Sequence, residues 1–125
     1  MWKRTLLTGL AVLSLPSSAM AGDAVRGARI YESRCGACHS LDQDRVGPRH
    51  RGVFGRTAGS VSGYDYSKAL RRSGIVWDGE TLDRWLTNPQ NLIPGQKMGY
   101  RLPNAGERAD VIAYLRREST KPATE

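Results

Sequence analysis

The feature that most constrains this chain is the run Cys35-Gly36-Ala37-Cys38-His39, which holds its only two cysteines. A bridge between thiols this close in sequence would close a tiny loop and do little as a staple. The pattern C-x-x-C-H has another use, the covalent attachment of c-type haem. Two thiols at this spacing can add to the two vinyl groups of one porphyrin. The adjacent imidazole then reaches the iron from one face, the usual place of a proximal histidine. A large group at the centre would also account for an awkward composition, 39% hydrophobic with 14 glycines. Glycine weakens helices and leaves little side-chain area to bury.

Three other uses of the pattern stand beside this one. A thioredoxin-like redox pair needs a preceding strand and a βαβ setting, whereas the residues before Cys35 read as helix. Zinc would have Cys35, Cys38, His39 and His50 at irregular spacing, short of a recognisable finger. Chance co-occurrence is the third. For the second axial position the candidate is Met98, because Met1 and Met20 both fall in a removable leader. A lone methionine is usually core filler, but a polar Pro-Gly loop is a poor place for filler and a good one for a ligand. His50 is its rival.

The leader is predicted from Lys3 and Arg4, an apolar stretch over residues 6–15, Pro16, and the small-x-small site Ala19-Met20-Ala21. The apolar run falls well short of the roughly twenty residues that span a bilayer. Residues 1–21 are therefore expected to be a signal peptide cut after Ala21, leaving 22–125 as one exported domain in the periplasm; a retained anchor is the alternative. Losing Lys3 and Arg4 takes the formal charge from +7 to +5. Such an excess reads either as ordinary solubility or as a basic face for acidic partners or anionic membrane surfaces. No nucleic-acid motif accompanies it.

The element pattern is all-α. Residues 23–34 form a helix capped by Asp23, with Val25, Ala28 and Tyr31 on one face. Gly27 within it costs about 1 kcal/mol relative to alanine, which a close backbone crossing would justify. Residues 41–64 lack periodicity and read as a loop wrapped round a ligand. A short helix over 66–72 ends at Gly74. A better one, 78–88, is capped by Asp78, carries Leu82, Trp85 and Leu86 as a stripe, and stops at Pro89. Asn104 with Glu107 resembles a capping box for a last helix to Arg117, with Val111, Tyr114 and Leu115 inward and a frayed tail from Ser119.

An ordered set of short motifs spans residues 23 to 117. It comprises Cys35 to Ser40, Gly47-Pro48, Gly52-Val53-Phe54-Gly55-Arg56, Gly63-Tyr64-Asp65-Tyr66-Ser67, Gly74-Ile75-Val76-Trp77, Thr81-Leu82 and Asn88-Pro89. Ile93-Pro94-Gly95-Gln96-Lys97-Met98 and Arg108-Ala109-Asp110-Val111-Ile112-Ala113-Tyr114-Leu115 complete it. In these the chain closely resembles the class I cytochromes c of the mitochondrial and bacterial respiratory type. The resemblance implies four to five helices around one covalent haem c, attached at Cys35 and Cys38 and ligated by His39 and Met98. Pro48 would take the ring N–H of His39, and Arg56, Tyr66 and Trp77 would meet a buried propionate. Gly27 and Tyr31 would pack on Tyr114, and Tyr100 would shield the haem edge. Trp85 stands where a tyrosine commonly donates to the methionine sulfur. Leu70, Gln96 and His50 also depart from the usual residues, and the loop from His39 to Gly47 is short.

The activity implied is single-electron carriage by Fe(II)/Fe(III) cycling, not enzymatic turnover. Partners would be an oxidase, reductase or dehydrogenase with an acidic docking surface, met by Arg34, Lys97 and Arg101. The carrier would be a monomer, with membrane contact at most peripheral. A haem subunit of a larger oxidoreductase is one alternative. A peroxidase or gas-handling protein is another, and it would need an open iron with His50 as the only spare histidine.

Overall fold

The computed structural model describes residues 22–123; the expected signal peptide lies outside them, as do residues 124–125. Five helices follow one another: α1 (Ala24–Arg34), α2 (Lys68–Arg72), α3 (Gly79–Thr87), α4 (Pro89–Leu92) and α5 (Ala105–Ser119). Among the described residues the only β pairing is one isolated bridge, Thr57 to Val76.

The Asp23 carboxylate accepts from the backbone N–H groups of Val25 and Arg26 at 2.8 and 3.1 Å, which fixes the start of α1. Of the expected face, Tyr31 is buried, along with Gly27, and Ala28 is half-buried, but Val25 is exposed. The reason is the crossing with α5. A Cβ on Gly27 would stand 1.9 Å from the Asp110 carbonyl oxygen, so only glycine lets the two backbones meet. The helix axis is thereby turned, and Val25 faces solvent. Around the crossing, Asp110 accepts from the Asp23 N–H at 2.7 Å and from Arg26 Nε at 3.0 Å.

α3 carries a full capping box, in which Asp78 and Thr81 exchange hydrogen bonds with each other's backbone N–H groups. At α5 only half of one forms, Asn104 accepting from the Glu107 N–H at 3.0 Å. Pro89 does end α3, but it also opens α4 as its first residue, where a missing N–H costs nothing. α2 starts at Lys68 because Ser67 is its cap, and α5 runs to Ser119, two residues past the expected end. Leu82 and Leu86 of α3, Val111 and Leu115 of α5, Trp77 and the fully buried Leu102 form the core.

The long irregular stretch is held by cross-links, not by periodic structure. His50 N–H donates to the Ser40 carbonyl at 3.0 Å and Arg51 N–H to that of Leu41 at 2.8 Å. The Arg51 guanidinium bonds Asp42 and reaches the Glu118 carbonyl at 3.2 Å, tying the loop to the end of α5. Hydrogen bonds from Lys121 and Arg117 overcome the effect of burial and hold the Glu118 carboxyl below its ordinary pKa.

Candidate functional site

The end of α1 places the cysteines. Cys35 caps the helix with its N–H on the Tyr31 carbonyl at 2.8 Å. The chain then turns tightly, Cys38 and His39 both donating backbone N–H groups to the Cys35 carbonyl at 3.1 and 2.9 Å. Of the two cysteine side chains, Cys35 is half-buried and Cys38 exposed. They open into a cavity of about 360 Å³, inside the range of small-molecule and cofactor sites. All nine residues singled out from the sequence line this one space: Cys35, Cys38, His39, Pro48, Arg56, Tyr66, Trp77, Trp85 and Met98.

His39 donates its Nδ1–H to the Pro48 carbonyl at 2.9 Å, the contact expected from the motif set. That bond fixes the tautomer and leaves Nε2 as the nitrogen with a free lone pair. Burial lowers the ring's pKa, against the raising effect of the bond to Pro48. Met98 sits in the loop after α4, its N–H bonded to the Gln96 side chain, so this departure from the family pattern supplies a local brace. Lys97 of the same loop lies 3.7 Å from Asp65.

Arg56 gives both its hydrogen bonds to carbonyls, those of Arg49 at 3.0 Å and Arg51 at 3.3 Å. Burial pulls its pKa down, the mark of a cation taken from water without a full counter-charge. Tyr66 accepts from the Val61 N–H at 3.1 Å, which leaves its O–H to donate. Trp77 is buried and meets Trp85 edge to face, ring centroids 5.3 Å apart. Trp85 makes that ring contact and, among the described residues, no hydrogen bond to the Met98 sulfur.

Of the three cations expected at the rim, Arg34 and Lys97 line the cavity. Arg101 instead lines a smaller polar cleft behind Met98, together with Asn88 and Gln90. Two further features were not legible in the motifs. Gly47 lies so close to His39 that a Cβ there would stand 2.1 Å from the ring's Cε1. His50 stacks on His39 with centroids 4.0 Å apart. Steric room for a ring and pairing across a loop leave no periodic trace.

Whether a haem suits these residues can be judged from the donor set and the shape. One free imidazole nitrogen and one thioether are an axial pair used by electron-carrying haems. The wall between them is mainly aromatic and aliphatic, and one under-compensated guanidinium suits a carboxylate. The residues fit. No group of three or more His, Cys, Asp or Glu side chains among the described residues is placed to hold a metal ion.

The family model for cytochrome c matches residues 24–119. Cytochrome c 2.1 of Caenorhabditis elegans is 48% identical over 104 residues, covering 81% of this chain and 94% of that protein. The cytochrome c of Gibberella zeae is 43% identical, covering 80% of this chain and 97% of that protein. Among solved structures, cytochrome cH from Methylobacterium extorquens matches with a TM-score of 0.73 at 39% identity, covering 77% of this chain and 99% of that one.

Proposed function

Because the chain belongs to the cytochrome c family, we propose that Cys35 and Cys38 hold its haem and that His39 and Met98 take the two axial positions. The protein carries one covalent haem c and serves as an electron carrier, not an enzyme. The haem, when bound, supplies the one-electron redox chemistry. The chain supplies the rest.

Pro48 orients His39 and raises the basicity of its Nε2. Arg56 and Tyr66 offer a guanidinium and a hydroxyl hydrogen toward a buried propionate, with Trp77 beside them. Trp77, Trp85, Leu82 and Leu86 keep water away, which limits the reorganisation that accompanies a change of charge. With His39 and Met98 as its ligands, the iron would have no position left for peroxide or a gas. The observation that carries this reading is the convergence of the cysteine pair, the oriented imidazole and the thioether on one cavity.

The carrier works with redox partners. We place it in the periplasm after removal of residues 1–21, docking through a basic rim that includes Arg34 and Lys97 onto acidic partner surfaces. No helix among the described residues is long and apolar enough to cross a membrane. A pyridine-haemochrome spectrum tests attachment and counts haems. In Met98→Ala the far-red band of thioether-bound ferric iron should vanish; a spectrum identical to the wild type's would sink the ligand assignment.

A further inference from the structure

His50 stands in the cavity wall outside the set of ligands and their direct hydrogen-bond partners, yet its position is fixed from two sides. Its ring lies nearly parallel to that of His39, with centroids 4.0 Å and planes 19° apart. Its Nδ1 meets the Tyr31 hydroxyl at 3.0 Å. Tyr31 is in turn buried in α1, with its ring centroid 5.2 Å from that of Tyr114 in α5. The α1–α5 crossing is thereby connected, through one hydrogen bond and one ring stack, to the face of His39.

The bond from His39 to Pro48 fixes one edge of the imidazole but leaves it free to rock about the line through that bond. A flat ring lying on its face removes this freedom; a leucine would fill the same space without defining a plane. A polar ring in contact with the ligand also offsets the charge of an oxidised centre better than a hydrocarbon does.

We propose that His50, anchored by Tyr31, is a positioning residue for His39 that sets the rotation of its ring and lowers the reduction potential of the haem. The inference rests on His39 being the iron-binding imidazole. The test compares the haem-loaded wild type with His50→Leu, His50→Gln and Tyr31→Phe by ferric EPR, by the contact-shifted haem-methyl NMR resonances, and by redox titration. In His50→Leu the methyl pattern should be reordered, the g-values altered, and the equilibrium constant for reduction raised by about fivefold. A tenfold change corresponds to 59 mV for a one-electron couple. Tyr31→Phe keeps the stack but frees it, and should move all three readouts less and in the same direction. His50→Gln can still meet the Tyr31 hydroxyl, so it should recover part of the potential but not the methyl pattern.

Lowered thermal stability with unchanged g-values, methyl shifts and potential in both His50→Leu and Tyr31→Phe would overturn the proposal. If His50→Leu does not accumulate as folded protein, Tyr31→Phe decides on the same three readouts. A wild type without a low-spin imidazole–thioether spectrum would overturn the ligand assignment and the proposal with it, a failure distinct from unaltered variants.

Discussion

Replacing Gly27 by alanine puts the α1–α5 crossing to a quantitative test. The added Cβ would stand 1.9 Å from the Asp110 carbonyl oxygen and 2.9 Å from the Tyr114 Cβ. Unstrained contacts of this kind need about 3.5 Å, so α1 must retreat by roughly 1.5 Å. That retreat stretches the Asp23–Asp110 bond of 2.7 Å and the Arg26–Asp110 bond of 3.0 Å beyond useful range. Overpacking costs about 1–3 kcal/mol. Losing a half-buried hydrogen bond to a carboxylate adds about 1.5–3 kcal/mol. Alanine's better helix propensity returns about 1 kcal/mol. The balance is a loss of about 1.5–5 kcal/mol, or on the order of 6–40 °C in Tm for a domain this size. Thermal unfolding of the haem-loaded protein, followed by far-ultraviolet circular dichroism, measures it. A Tm within about 3 °C of the wild type would refute the close crossing and the account of why glycine stands there.

Acid should act through Asp110, whose carboxyl is held below its ordinary value of 3.8 by the hydrogen bond from Arg26 and then by the Asp23 N–H. A depressed pKa contributes stability that is present above the unfolded value and lost as pH falls through the folded one, so wild-type urea midpoints should drop from about pH 5 downward. Asp110→Asn should show a shallower drop over that window; equal slopes would refute the assignment. Gly47→Ala pushes a methyl group into His39 and should break its bond to Pro48, shifting the Soret band and the potential; an unaltered spectrum would show that the ring has room to spare. Electron transfer to an acidic partner should slow steeply as ionic strength rises past about 0.1 M, where the screening length is near 10 Å. Rates flat across that range would exclude a basic docking rim.

The parts legible in the sequence are those with local causes. Asp23 and Asp78 announce helix starts because a carboxylate satisfies nearby N–H groups wherever it occurs. The cysteine motif announces its chemistry through spacing alone. Val25 misleads because periodicity ranks faces by hydrophobicity, whereas the crossing at Gly27 turns the apolar side of α1 by sterics. Pro89 reads as a stop, and its second role as the first residue of α4 depends on Asn88, whose backbone N–H closes α3 on the Arg84 carbonyl and whose side chain accepts from the Asn91 N–H to cap the new turn. The nine residues singled out from the sequence line one cavity, but their arrangement within it is not legible there. Arg56 bonding two carbonyls, and His50 paired with Tyr31 across nineteen positions, arise from a loop whose path no period encodes.

The latch between α1 and α5 has a consequence for the chain as a whole. Most of what surrounds the cavity lies between α1 and α5, which grip each other and line it themselves, so this part of the polypeptide is effectively a hoop with a non-covalent clasp. Cutting the hoop once, in the exposed stretch near Gln43 or Ser62, would not release two independent pieces. Each fragment would keep one half of the clasp, and the halves would hold the severed strap in place around whatever it encloses.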